Sequence, residues 1–234
     1  MGTISIDHSD RLFWLGRYTE RAFTTLKALE ALFDKAIDGG SKTYRDYLDC
    51  FGLLDGYADT EAFMQSFLFD KGNQNSVAFS LEKAYDNGIV LREGISTEAL
   101  SFLQLAKDTL AKAERSCGGY RYELLPLEDV LFGFWGCIND YVYDSEALDI
   151  IKCGKYIERL DLYFRMKYPF NMINLEFDRL CESLRKMPKN TPYRYNTEQL
   201  SVLVETVGMR EDYVLRTDDS LSALSKLFET APQH

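Results

Sequence analysis

Two short strings carry residues that could do chemistry together. "LGRYTERAF" (15–23) sets Arg17, Glu20 and Arg21 into an otherwise apolar run, and "CGKYIERLD" (153–161) repeats the arrangement with Lys155, Glu158 and Arg159. A glutamate flanked by cations can serve as a general base once its surroundings set its pKa. An arginine fork suits a planar oxyanion such as a carboxylate or a phosphate. Glu20 and Glu158 are therefore the candidate catalytic residues. Arg17, Arg21, Lys155 and Arg159 are the candidate substrate-binding residues.

The spacing places these groups. At about 100° per residue, Arg17, Glu20, Arg21 and Thr24 share one helical strip, with Phe13 one turn before and Ala28 one turn after. Lys155, Glu158 and Arg159 share a strip flanked by Ile151, Leu162 and Met166. The remaining sides carry Leu12, Leu15, Ala22, Leu26 and Leu29 in one helix, and Ile150, Cys153, Leu160 and Phe164 in the other. Charges set into an apolar surface predict burial, and buried charges must be paired. One glutamate cannot satisfy two arginines. The missing acceptor is either Glu158, if the two helices cross near Gly16 and Gly154, or a bound anion. An architectural ion network and a ligand or catalytic site both stay open as readings of these residues.

A second polar set lies in "YDNGIVLREGIS" (85–96). Asn87 and Gly88 stand in a helix interior, where both are unfavourable. A side-chain hydrogen bond from Asn87 toward the Arg/Glu cluster would offset that cost. Asn87, Arg92 and Glu93 thus join the candidate substrate-binding set, with a solvated helix end as the other reading. Other chemistries fit poorly. The chain has two histidines, His8 and His234, so a di-iron bundle built on Glu-x-x-His is not expected. Five scattered cysteines without a CxxC pair do not make a zinc site, and they read as the reduced thiols of a cytoplasmic protein. No GxGxxG or GxxxxGK[ST] string occurs, so any ATP would be bound by a partner. No cofactor and no metal is expected.

The elements that must position these residues read as helices throughout. The 234 residues are 46% hydrophobic and 27% charged, with only five prolines, which favours long helices. A first helix spans 9–38, capped by Ser9 or Asp10 and ended by Gly39-Gly40. Ser41 starts a second, to about Phe51. Asp59 or Thr60 caps a third, ending near Asp70, and Asn75 or Ser76 opens a fourth, through about Glu93. Ser96 caps a fifth, to about Ser116. Residues 117–126 are a break. The chain is helical again from Leu127 to Tyr168, interrupted near Gly136 or Asp144, and Pro169 stops it. Further helices span 170–187, 197–208 and 218–230. No segment alternates as a strand does. The expected fold is an all-α multi-helix bundle, one domain over 1–234 with pseudo-symmetric halves of about 1–116 and 125–234. Each half carries one Gly-(Arg/Lys)-Tyr-x-Glu-Arg helix. A net charge of −10 argues against nucleic acid as a partner. The start "MGTISIDHSD" lacks a signal-peptide pattern, and no apolar run of about 18 residues would span a membrane.

The strings together resemble the bacterial alpha-E family. "LFWLGRYTERAFTTLKAL" (12–29) is similar to its opening helix. "FDKGNQNSVAFSLEKAYDNGIVLREGIS" (69–96) is similar to its central Asp-x-x-Asn-x-x-Ser stretch and the Asn…Arg-Glu helix that follows. "FWGCINDYVYDSEALDIIKCGKYIERLDLYFRM" (134–166) is similar to its second Gly-Arg-Tyr-x-Glu-Arg helix. Lys155, Leu160 and Phe23 depart from the pattern. The resemblance implies an all-helical domain that accompanies circularly permuted ATP-grasp ligase-like proteins and transglutaminase-like peptidases. It implies a component of a system that forms or modifies peptides or amides. Such a component would be a partner subunit of an ATP-grasp-type protein, or a binder of a peptide or carboxylate-bearing substrate. Two alternatives are a stand-alone enzyme using Glu20 and Glu158, and a non-catalytic scaffold docking through "YRYELLP" (120–126) or "TPYRYN" (191–196).

Overall fold

The computed structural model describes residues 5–37, 43–116, 120–187 and 194–228. All regular structure among them is helical. The helices are α1 (Ile6–Ile37), α2 (Tyr44–Phe51), α3 (Thr60–Phe69), α4 (Val77–Val90), α5 (Arg92–Ile95) and α6 (Thr97–Glu114). After them come α7 (Tyr120–Tyr141), α8 (Ser145–Arg165), α9 (Phe170–Lys186), α10 (Thr197–Gly208) and α11 (Thr217–Lys226), with a 3-10 segment at Arg210–Arg216. No helix among the described residues is long and apolar enough to cross a membrane.

The chain divides into two compact units. One combines the chain up to Gly16 with the chain from Ser145 onward, and the other runs from Arg17 to Asp144. In the Arg17–Asp144 unit, α6 packs on α7 and α4 on α6. Along α6 the buried residues Ala99, Leu103, Ala106, Leu110 and Ala113 recur at steps of four and three, as do Leu124, Leu127, Leu131, Phe134 and Ile138 along α7. That spacing keeps one apolar stripe per helix facing its partner. Tyr47, Phe63 and Phe67 from α2 and α3 build an aromatic cluster in the same unit. In the other unit α8 packs on α9, and α11 on α8 and α10. Here Ile150, Cys153, Ile157, Leu160 and Phe164 face Ile173, Phe177, Leu180 and Leu184 at the same spacing.

Capping residues end the helices largely where the sequence predicts. Asp59, Ser76 and Ser96 accept from Ala62, Phe79 and Ala99 backbone N–H groups, which would otherwise lack partners at helix N-termini. Several boundaries differ. α1 begins at Ile6, not at Ser9 or Asp10, because the Ser5 hydroxyl accepts from His8 N and the Ser5 carbonyl from Ser9 N. α2 is capped by Thr43 through a reciprocal pairing with Asp46. Ser41 and Gly39-Gly40 lie outside the described residues. α4 stops at Val90, and the short α5 follows, because Leu91 and Ile95 turn inward to buried positions. α7 starts at Tyr120 rather than Leu127 and carries Pro126 inside it. Proline there removes the bond to the Tyr122 carbonyl, and Tyr122 is exposed, so water can supply the replacement. The next interruption comes at residues 142–144, beside Asp144, and α7 runs through Gly136 unbroken. Residues 117–119, 188–193 and 229–234, including Cys117 and His234, lie outside the described residues.

Candidate functional site

The second charged string lies in the middle of α8. Glu158 is buried, and Lys155 and Arg159 are half-buried. A turn with Lys167 at φ 51° leads from α8 into α9, and Tyr168 stacks on Tyr163 with ring centres 4.3 Å apart. This hairpin brings Arg159 to Glu176. Arg159 Nη1 donates to Glu176 Oε1 at 3.2 Å, and Arg179 Nη1 donates to the same oxygen at 2.7 Å. The Glu176 carboxylate is buried. Its second oxygen, Oε2, has no hydrogen-bond partner among the described residues. Tyr156 lies one turn before Arg159, and burial pushes its phenol above the usual range. Burial likewise raises Asp149, one helical turn before Cys153. The Cys153 thiol is itself raised well above its ordinary value by burial, so it stays protonated and inert.

The N-terminal part of α1 meets α8 at a glycine. A Cβ at Gly16 would collide with the Ile151 carbonyl oxygen and stand 3.2 Å from Lys155 N. The helix crossing expected at Gly16 is therefore present, and it falls one turn before the second charged string. Only a residue without a side chain permits that approach.

The first charged string continues along α1 into the Arg17–Asp144 unit. Glu20 is fully buried, between buried Thr19 and Thr24, and Arg17 and Arg21 are half-buried. The Arg21 guanidinium lies over the Tyr18 ring, 5.5 Å from its centre, and Tyr18 meets Phe79 edge-on. Cation–π stacking of this kind holds a guanidinium on an apolar surface. Thr24 donates to the Arg21 carbonyl at 3.4 Å.

The third candidate set sits apart in character. Asn87 is half-buried at the end of α4, where its carbonyl accepts from Leu91 N. Arg92 and Glu93 on α5 are exposed. Gly88 has a packing reason of its own: a Cβ there would come within 3.1 Å of Leu103 Cδ1 and 3.2 Å of Leu100 Cδ1. The close approach of α4 to α6 accounts for the glycine in a helix interior.

Sequence reasoning missed Glu176 and Arg179. The signal is in the chain, because Glu176 falls three residues after Ile173 and four before Leu180, on the core strip of α9. A carboxylate on that strip needs a cation within reach.

With that geometry in place, the match to known proteins is specific. Residues 8–225 match the Alpha-E family, described as "a predicted alpha-helical domain with a conserved ER motif". The chain belongs to the Alpha-E family. Three Glu-Arg pairs occur in this Alpha-E protein. Glu20-Arg21 and Glu158-Arg159 follow a Gly-(Arg/Lys)-Tyr lead and carry buried glutamates, whereas Glu114-Arg115 sits at the exposed end of α6. No curated protein and no solved structure matches the chain.

Proposed function

We propose that this Alpha-E protein is a cytoplasmic helical component of an ATP-grasp-associated system that forms or modifies peptide or amide bonds. It acts there as a partner subunit or substrate-binding protein. The observation that carries the partner role is a row of large apolar residues on the outer face of α7: Tyr122, Leu125 and Phe132 are 81%, 66% and 56% exposed. Their spacing of three and seven puts them on one side of the helix. Apolar rows of this kind on a charged, acidic protein mark a docking face. Tyr122 and Leu125 belong to the string "YRYELLP", which the sequence singles out for its aromatic content. The geometry of the Glu-Arg motif supports the same reading. Arg159 is engaged by Glu176, which also holds Arg179, so this copy ties α8 to α9 and serves as frame.

The test is reconstitution with a candidate ATP-grasp-type protein. The two should co-elute, and ATP-dependent amide formation should need both. Tyr122→Glu with Leu125→Glu should abolish the complex while thermal unfolding stays cooperative. Failure to co-elute, together with unchanged ligase activity on adding this chain, would remove the partner role. Turnover by this chain alone that disappears in both Glu20→Gln and Glu158→Gln would establish the acid–base reading instead.

A further inference from the structure

A cavity of about 360 Å³ opens between α1, α3 and α7 within the Arg17–Asp144 unit. Its size falls in the range of small-molecule sites, about 300–1,000 Å³. Leu26 and Leu29 of α1, Met64 and Leu68 of α3, and Leu124 and Leu125 of α7 make its walls. One end is polar. Glu30 of α1 and Glu128 of α7 line the cavity there, and both lie within reach of Lys27. Lys27 donates to Glu128 Oε1 at 2.7 Å and reaches Glu30 Oε2 at 3.5 Å, with its side chain half exposed. Lys27 thus closes the acid pair from the solvent side, and the leucines close it from the other.

We infer that this cavity binds a small primary amine with an apolar body, the ammonium entering between Glu30 and Glu128 and the body lying on the leucines. Charge complementarity fixes the class of ligand. The charged groups that line the cavity beside the acid pair are Arg121 and Asp129 on α7, with Lys27 of α1 bonded to both acids, and Met64 and Leu68 of α3 line its apolar side. Lys27 neutralises Glu128, and the proton that Glu30 retains up to about pH 7 neutralises the other carboxyl. An ammonium that replaces that proton leaves the charge of the cluster unchanged and adds two charge-assisted hydrogen bonds. A carboxylate ligand has no proton to displace and would stand beside the ionised Glu128 in an apolar cavity. The proton that must leave sits on Glu30, whose carboxyl is pushed up to about 7 by burial and by the neighbouring Glu128. Burial opposes ionisation of Glu128 too, but the hydrogen bonds from Glu30 and Lys27 hold it below its ordinary value. Binding therefore releases a proton, approaching one per amine as pH falls below about 7. The site shares Leu125 with the docking row proposed above, but neither reading requires the other, and the Glu30 and Glu128 variants below leave that row intact.

Calorimetric titration of the intact chain with n-hexylammonium, 1-hexanol and hexanoate tests the inference. Alkylammonium ions stay charged across the range used, like the lysine side chain with its pKa of about 10.4. Hexylammonium should bind saturably at pH 8, hexanol at least tenfold more weakly, and hexanoate not at all. Below pH 7 the hexylammonium dissociation constant should rise by up to about tenfold per pH unit, with one proton released per amine bound. Glu30→Gln resembles the protonated native state, so it should fold, weaken hexylammonium at least tenfold and erase the pH dependence. Glu128→Gln should weaken it as well. Equal binding of hexanol and hexylammonium, binding of hexanoate, or unchanged affinity in Glu30→Gln would each overturn the inference. So would the absence of saturable amine binding at millimolar concentration.

Discussion

At the scale of single residues, Glu176 is a position where the second charged string is tied to a neighbouring helix. One oxygen of its carboxylate accepts from two guanidiniums, and the two are not equivalent. The Arg159 side chain is 15% exposed and that of Arg179 is 44% exposed. Removing an acceptor from a desolvated guanidinium is costly, whereas an exposed ion pair contributes about 0–1 kcal/mol. Glu176→Ala should therefore lower the unfolding free energy by about 3 kcal/mol, and Arg179→Ala by under about 1 kcal/mol. Urea denaturation of the two variants makes the comparison, and equal effects would mean that Arg159 draws nothing from Glu176. The sequence made Glu158 and Arg159 legible because they interrupt an apolar helix and repeat an earlier string. It made Glu20 legible for the same reason, and Glu20 and Glu158 are both buried as their apolar surroundings predict. Glu176 was not legible in that way. Its partner lies 17 residues away on another helix, and single-helix periodicity does not say which two strips will face each other.

At the scale of elements, local rules located most helices, and tertiary packing decided the remainder. Caps are short-range chemistry, so Asp59, Ser76 and Ser96 are readable from a few neighbouring residues. The start of α7 is not. Pro126 signals a stop on propensity alone, yet the buried stripe from Leu124 through Ile138 carries the helix across it, by tertiary burial. Glycines show the same division. In isolation, any interior helix glycine gains from replacement by alanine, by up to about 1 kcal/mol. Gly136→Ala should behave that way, since a Cβ there meets nothing within 4 Å. Gly16→Ala should do the opposite. Its Cβ would strike the Ile151 carbonyl, and a backbone atom fixed in α8 cannot rotate aside as a side chain can. A loss of about 1–3 kcal/mol is expected, as for overpacked cores. Thermal unfolding of the two single variants settles the matter: shifts of opposite sign support the crossing of α1 and α8 at Gly16, and a stabilising Gly16→Ala would refute it.

At the scale of the whole molecule, charge and one displaced carboxyl act in the same direction. The chain carries a net charge of −10 at neutral pH and a pI near 4.8, so self-repulsion in the folded state grows as pH rises. Glu30 adds a separate term. Its folded carboxyl is raised from 4.5 to about 7, so across that interval the native state keeps a proton that the unfolded chain releases. Its contribution to stability is then complete below about pH 4.5, declines as pH rises, and is gone above about pH 7. Glu82 and Glu182 run the other way. Hydrogen bonds from Lys107 and Lys186, respectively, hold their carboxyls below the ordinary value, so their contributions are lost only on acidification. Asp10 and Asp149 are raised from an ordinary value of 3.8, chiefly by burial, so their contributions have the same sign as that of Glu30. With two histidines in the whole chain, the interval from pH 5 to 7 holds few other groups that titrate. Salt separates the two contributions, because about 1 M salt shortens the screening length to about 3 Å and suppresses self-repulsion among exposed charges. A partly buried carboxyl is screened far less. In high salt the melting temperature should still fall between pH 5 and 7 in the wild-type chain, and should be flat over that interval in Glu30→Gln. A slope that survives the substitution would assign the pH dependence to the remaining charges and deny Glu30 its displaced proton.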